Sequence, residues 1–300
     1  MTSRYSPRCR TLTGFYKASI VMVSALLIAC QSPREALQQL ADEHGRQLEV
    51  LPGHAFPLLI LAPRIAERTT RLRVYLEGDG HAWATATQPS LDPSPHHLLV
   101  PRLAVSDPTP NAYLARPCQF LMTAACQPAL WTHRRFSQEV VTRLSQGLDE
   151  LKRRYGNCEF ELVGYSGGAA LALLLAAQRS DVTQVQTLAG NLSPRLWATM
   201  KGLSPLNGSL DPLDYRDRLV LIPQRHLIGE EDQIIPAGLA ASYQQALGSP
   251  LSQSVHVAGA SHDRGWEAAW SRWVKTPLAH EPPEINGAPV RSKTPGCPPS

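Results

Sequence analysis

Phe160-Glu161-Leu162-Val163-Gly164-Tyr165-Ser166-Gly167-Gly168 runs without a break into Ala169-Ala170-Leu171-Ala172-Leu173-Leu174-Leu175. The opening residues have the apolar character of a strand, and the alanines and leucines that follow suit a helix buried all round. Between them stands G-x-S-x-G. The string alone recurs by chance, but between a strand and a helix it describes a tight turn with strained backbone at the serine. Glycines two before and two after remove the Cβ atoms that would meet the neighbouring strand and helix. Such a turn places Ser166 at a helix N-terminus, where the Gly167 N–H can bond a developing oxyanion.

A serine hydroxyl is a poor nucleophile near neutral pH, so this reading requires a base elsewhere in the chain. Of the ten histidines, His226 and His256 fall inside predicted strands, and His96, His97 and His280 lie in Pro-rich loops. His262, in Gly259-Ala260-Ser261-His262-Asp263, follows the last predicted strand and precedes a helix with Trp266, Trp270 and Trp273 on one face. Loops at the carboxyl ends of sheet strands are where catalytic side chains collect in open α/β sheets. An acid is expected after the preceding strand, where Gly229 gives way to Glu230-Glu231-Asp232-Gln233-Ile234-Ile235-Pro236. On the residues alone all three acids qualify.

The order serine, acid, histidine is that of α/β-hydrolases and not of the chymotrypsin or subtilisin arrangements. From about Arg46 to Thr276 the chain resembles that family, and in particular the exported, lipoprotein-type hydrolases of Gram-negative bacteria. The resemblance implies an α/β-hydrolase fold: a mostly parallel eight-stranded sheet with helices on both faces and no large lid. It implies Asp232 as the acid, matching the family's G-x-x-D-x-x-V/I-P turn. It also puts Glu77-Gly78-Asp79-Gly80-His81 in the place of the oxyanion loop, with Asp79 N–H as second donor beside Gly167. Here the sequence departs from the family, with Glu77 where histidine is usual and a carboxylate at Asp79. Because a carboxylate aimed at an oxyanion would repel it, the Asp79 side chain is expected to turn away. Tyr165, His81, Trp83 and Asn191 are expected to line the site.

Outward from this core, the amino terminus reads as an address. Arg4, Arg8, Arg10 and Lys17 precede Ala18–Ala29, an uncharged apolar run too short to span a bilayer, and this is a signal-peptide layout. Leu27-Ile28-Ala29-Cys30 resembles the lipobox of bacterial lipoproteins. The likeness implies cleavage before Cys30, acylation of that residue, and membrane attachment through its lipid, with Gln31 favouring the outer membrane on its periplasmic side. Residues 1–29 are thus expected as signal, 30–45 as lipidated cysteine and a tether or short helix, 46–276 as the hydrolase domain, and 277–300 as a Pro-rich disordered tail. Export leaves Cys118, Cys126, Cys158 and Cys297 in an oxidising compartment. Of three pairings, Cys118–Cys126, close in sequence within a strand-to-helix connection, is favoured.

Composition supports a globular protein and removes other classes. With 43% hydrophobic and 18% charged residues over 300 positions, the chain can bury a sizeable core, which excludes disorder and a disulfide miniprotein. The formal charge of +4 comes from the four basic residues of the leader, and beyond them 25 basic face 25 acidic side chains. That balance removes the electrostatic case for nucleic-acid binding. No C-x-x-C or paired-histidine spacing points to zinc, and no metal or cofactor is expected.

Strands are predicted at 47–51, 58–62, 72–77, 112–121, 159–163, 185–189, 221–228 and 254–258. Helices are predicted at 137–155, 168–178, 192–200, 237–247 and 265–275. The expected chemistry is cleavage of a small-molecule acyl ester or amide, small or accessible, because the 191–219 segment is too short for a large lid and loops such as 84–111 would cover the pocket. An acyltransferase or peptidase would use the same three residues, and a catalytically inactive binding lipoprotein of the cell envelope would keep the fold without turnover.

Overall fold

The computed structural model describes residues 31–53, 56–278, 284–285 and 288–289. Cys30, the signal segment, Cys297 and most of the Pro-rich tail lie outside the described residues.

The segment expected as a tether or short helix holds a helix, α1 (Pro33–Glu43), which buries Leu37, Leu40 and Ala41. Chain order continues with β1 (Arg46–Leu51), β2 (Leu58–Pro63), β3 (Arg71–Leu76), α2 (Leu99–Ser106), β4 (Asn111–Leu114), α3 (Gln138–Tyr155), β5 (Glu159–Tyr165) and α4 (Gly167–Gln178). It ends with β6 (Val182–Leu188), α5 (Pro194–Met200), α6 (Arg216–Leu219), β7 (Gln224–Gly229), α7 (Ala237–Leu247), β8 (Ser252–Val257) and α8 (Trp266–Trp273). A further two-residue pair, Glu284–Ile285 with Ala288–Pro289, lies in the tail.

The eight main strands form one sheet in the order β1-β2-β4-β3-β5-β6-β7-β8. Strand β2 runs antiparallel to both β1 and β4, and every pairing from β4 through β8 is parallel. Alternate residues of each strand feed two cores. Leu72, Val74 and Leu76 of β3, with Phe160 and Leu162 of β5, face α3, α4 and α7. Tyr75 and Val163 face the other side, under α1, α2 and α8. Helix α4 is buried from Gly167 to Ala176. Its Leu171, Leu173, Leu174 and Leu175 each contribute about 1.5–3 kcal/mol by leaving water, which anchors the serine turn at its N-terminus to the middle of the sheet.

Two stretches depart from the sequence expectation. Strand β4 stops at Leu114 rather than 121, because Gln119 N–H closes a turn on the Arg116 carbonyl and Cys118 and Phe120 take positive φ. The Cys118–Cys126 disulfide fastens that turn. The second half of the expected covering loop is α2, whose Leu99, Val100, Leu103 and Ala104 are buried on the sheet. Pro101 disguised it, since a proline in the first helical turn interrupts the pattern without breaking the helix.

The strand order reverses at β3 and β5. The connection leaving β3 leads to β4 on one side, and that leaving β5 leads to β6 on the other. The two loops therefore part at the carboxyl ends of adjacent strands, opening the crevice in which ligands of open α/β sheets bind. Glu77–Gly80 and Ser166 are the residues at its two lips.

Candidate active site

Ser166 sits at φ 51° and ψ −122°, a backbone conformation that a residue with a Cβ adopts only when its surroundings hold it there. Three hydrogen bonds do so. Ser166 N–H donates to the Leu188 carbonyl at 3.0 Å, and the Ser166 carbonyl accepts from Ala169 and Asn191 N–H at 3.1 and 2.9 Å. A Cβ on Gly164 would overlap the Gly168 carbonyl, so the glycine two residues before the serine is required by close approach of the following helix.

Tertiary folding brings Ser166, His262 and Asp232 into one line. His262 Nε2 is 3.0 Å from Ser166 Oγ, and His262 Nδ1 is 2.9 Å from Asp232 Oδ2. Asp232 Oδ1 accepts the N–H groups of Ile234 and Ile235 at 2.8 and 2.9 Å. The carboxylate thus accepts on both oxygens, which puts the imidazole proton on Nδ1 and leaves Nε2 free to accept from the serine hydroxyl. The Asp232 side chain is 1% exposed, whereas Glu230 and Glu231 point to solvent. The loops carrying acid and histidine are stitched together, with Glu230 N–H donating to Val257 and Glu231 N–H to Ala260. The His262 carbonyl is held from below by Tyr165 Oη at 2.8 Å and Trp266 Nε1 at 2.9 Å. Tyr165, expected as site lining, therefore anchors the histidine loop. Burial, with Glu77, Asp263 and Asp232 nearby, pushes its phenol above the ordinary value and keeps it a donor.

The loop after β3 lies against the serine turn. A Cβ on Gly78 would fall 3.2 Å from Ser166 Cβ. Gly167 N–H and Asp79 N–H have no acceptor among the described residues, as two donors aimed at an oxyanion would require. The Asp79 side chain does not turn away as expected. Its Oδ1 lies against Gly167, where it forms an ion pair with Arg116, while Oδ2 is 3.1 Å from Arg135 Nε. Burial raises the Asp79 carboxyl, but Arg135 and Arg116 more than reverse this and hold it below the usual range. The expectation missed these two buried guanidiniums, which neutralise the carboxylate where it stands. Nothing in the spacing of Arg116 or Arg135 linked them to a loop so distant in sequence.

Glu77, one residue earlier, is buried beneath the same loop. Its Oε1 accepts Gly78 N–H at 2.9 Å and its Oε2 accepts Tyr113 Oη at 2.8 Å. Burial pushes its carboxyl up to about 7, against the opposing pull of these two donors and Arg116. Gln119 completes the support, its Nε2 donating to the Gly78 carbonyl at 3.0 Å. Gln119 stands beside Cys118, so the Cys118–Cys126 bridge stiffens the turn that backs the Glu77–Gly80 loop.

The remaining expected residues are spread around this centre. His81 stacks on His96, with ring centroids 4.5 Å apart. Trp83 is 43% exposed and pairs with Pro89. Neither contacts the three central residues through a hydrogen bond or ring contact. Asn191 is buried and holds the serine turn through its backbone, so it supports the site rather than lining an open surface. Trp197, which the sequence reading did not single out, closes the acid side by donating to the Ile234 carbonyl at 2.9 Å. Among the described residues no three His, Cys, Asp or Glu side chains are grouped as a metal ion would need.

No protein-family model and no curated protein sequence matches the chain. Solved structures do. Est1E from Butyrivibrio proteoclasticus aligns at TM-score 0.53 and 13% identity, over 76% of this chain and 95% of its own. The Pyrococcus furiosus esterase Pf2001 aligns at TM-score 0.55 and 11% identity, over 79% of this chain and 94% of its own. At such identities the likeness concerns the fold, and the fold is that of the α/β-hydrolases.

Proposed function

We propose that the protein is a serine hydrolase that cleaves a small or accessible acyl ester through an acyl-enzyme. The observation carrying this reading is the line Ser166 Oγ, His262 Nε2, His262 Nδ1, Asp232 Oδ2, with contacts of 3.0 and 2.9 Å at a serine of positive φ. In this mechanism Ser166 Oγ attacks the acyl carbonyl while His262 Nε2 takes its proton. Asp232 stabilises the imidazolium, and the tetrahedral oxyanion accepts from Gly167 and Asp79 N–H. His262 then protonates the leaving alcohol, and water enters by the reverse sequence to release the acid. The segment between β6 and β7 holds only α5, a 3₁₀ turn at Pro212–Tyr215 and α6, which supports an accessible substrate rather than a long-chain lipid under a lid.

A fluorophosphonate probe on detergent-solubilised protein tests the reading, because only an activated serine is labelled. Labelling of the wild type and not of Ser166→Ala, with turnover on a panel of p-nitrophenyl esters and aminoacyl amides, is the expected result and separates ester from amide chemistry. A wild type that neither labels nor turns over would make the protein a binding lipoprotein that keeps the fold.

We propose also that the protein works exported and lipid-anchored through Cys30, on the strength of the basic segment, the apolar run and Leu27-Ile28-Ala29-Cys30. Intact-mass analysis of membrane-extracted protein should carry a lipid increment that Cys30→Ser lacks.

A further inference from the structure

Arg135 is buried beside the serine turn, yet its donors are largely unused. Its Nε faces Asp79 Oδ2 at 3.1 Å without hydrogen-bond alignment and has no other acceptor. Its Nη1 reaches only the Thr132 carbonyl, at 3.4 Å. Its Nη2 donates to nothing in the protein and, unlike Nε, is not sealed from solvent. Arg116 contrasts with it, both of its terminal nitrogens being engaged, by Asp79 Oδ1 and by the Arg135 carbonyl. A guanidinium has five N–H donors, and burying one with most of them idle is costly unless something else uses them.

Its position says what that could be. Arg135 touches the oxyanion loop through Asp79, whose carboxylate lies against Gly167, and it stacks on Trp197 at 5.4 Å, whose indole is bonded to the acid turn. It therefore links the loop after β3 to the indole that is bonded to the acid turn. Two guanidiniums against the one carboxylate of Asp79 leave one positive charge there, and the N-terminus of α4 adds to it. Glu77, the other acid beside Arg116, lies beneath the loop and accepts only from neutral donors, and because burial pushes its carboxyl up to about 7 it offsets only part of that charge near neutral pH. A single planar anion matches this surplus and the fork of the guanidinium, whereas a phosphate monoester would bring nearly twice the charge.

We infer that Arg135 binds a carboxylate carried on the acyl group, so that the substrate is a half-ester of a short dicarboxylic acid; this rests on the hydrolase reading above.

The test compares two esters with one leaving group on the full-length protein: mono-p-nitrophenyl glutarate and its methyl-capped, uncharged counterpart. The charged ester is expected to show kcat/KM at least about tenfold higher, the range of one charge-assisted contact. The ratio should shrink when salt is raised to about 0.5 M. Arg135→Gln should bring the two esters within about threefold of each other, and Arg135→Lys should restore part of the preference. Because Arg135→Gln also loosens Asp79, the ratio is read rather than either rate. Should that variant not fold, the wild-type ratio, its salt dependence and calorimetric binding of glutarate to Ser166→Ala decide alone. Equal or faster turnover of the capped ester overturns the inference and leaves the hydrolase reading intact, as does a preference that survives Arg135→Gln. Glutarate binding lost in Arg135→Gln, with no turnover of either ester by the wild type, would instead retain the carboxylate site and overturn the hydrolase reading.

Discussion

The Asp79 carboxylate occupies the space in which a side chain at position 167 would stand, its Oδ1 lying against Gly167 while Arg116 and Arg135 hold it from behind. The two residues proposed to offer N–H groups to an oxyanion are thus in steric contact, and the glycine after Ser166 is a requirement of its neighbour. Gly167→Ala is expected to push Asp79 off its arginines and disturb both donors, lowering kcat by about 10²-fold, the scale of losing one oxyanion donor. The same change in an Asp79→Ala background should cost much less. A double-mutant cycle on kcat measures the coupling, and additive losses would show that the contact does not matter.

The positive φ of Ser166 predicts a stability difference between two inactive variants. Alanine keeps the Cβ and hence the strain, whereas glycine relieves it at some cost in unfolded-state entropy. Ser166→Gly should therefore be more stable than Ser166→Ala by about 1 kcal/mol in urea unfolding. A glycine variant no more stable than the alanine variant would mean that the turn holds no strain at this position.

Asp232 accepts from His262 and from two backbone N–H groups, while Glu230 and Glu231 face water. Asp232→Asn should cut kcat by about 10²- to 10⁴-fold, since the wrong imidazole tautomer is then favoured. The amide oxygen can still serve the turn, so the thermal midpoint should move little. Glu230→Gln and Glu231→Gln should each stay within about threefold of the wild type. Steady-state kinetics with parallel melting curves checks all three, and a Glu231→Gln as damaging as Asp232→Asn would reassign the acid.

Glu77 makes stability pH-dependent with a definite sign. Burial raises its carboxyl from 4.5 to about 7. Between those values the folded state holds a proton that the unfolded chain has released, so stability falls as pH rises through this window. Glu77→Gln removes this group's contribution. The wild type should therefore lose up to about 3 kcal/mol more than the variant between about pH 5 and about pH 8, by urea unfolding at each pH. Parallel pH profiles for the two proteins would place the Glu77 pKa near its ordinary value.

Much of this molecule was legible locally. The glycines around Ser166, the apolar strand before it and the helix after it act within one turn of chain, and so do the loop signals around His262 and Asp232. Strand β4 and helix α2 were misread where a local pattern was interrupted, by the turn at Cys118 and Phe120 and by Pro101. Residues 33–44 read equally as a short helix or a tether, because Leu37, Leu40 and Ala41 gain meaning only from the core they join.

By itself, then, the sequence determined the succession of the eight strands and of five of the helices between and after them, the serine turn, and the short list of histidine and acids able to serve it. Periodicity, glycine placement and chain order are properties of neighbouring residues. Tertiary structure alone decided which of three acids meets His262, and that Asp79 stays beside Gly167 rather than turning away. Those outcomes depend on burial and on charges brought together from distant parts of the chain. A carboxylate next to an oxyanion site is repulsive until Arg116 and Arg135 fold in behind it, and their Coulomb attraction across a buried contact has no trace in local sequence.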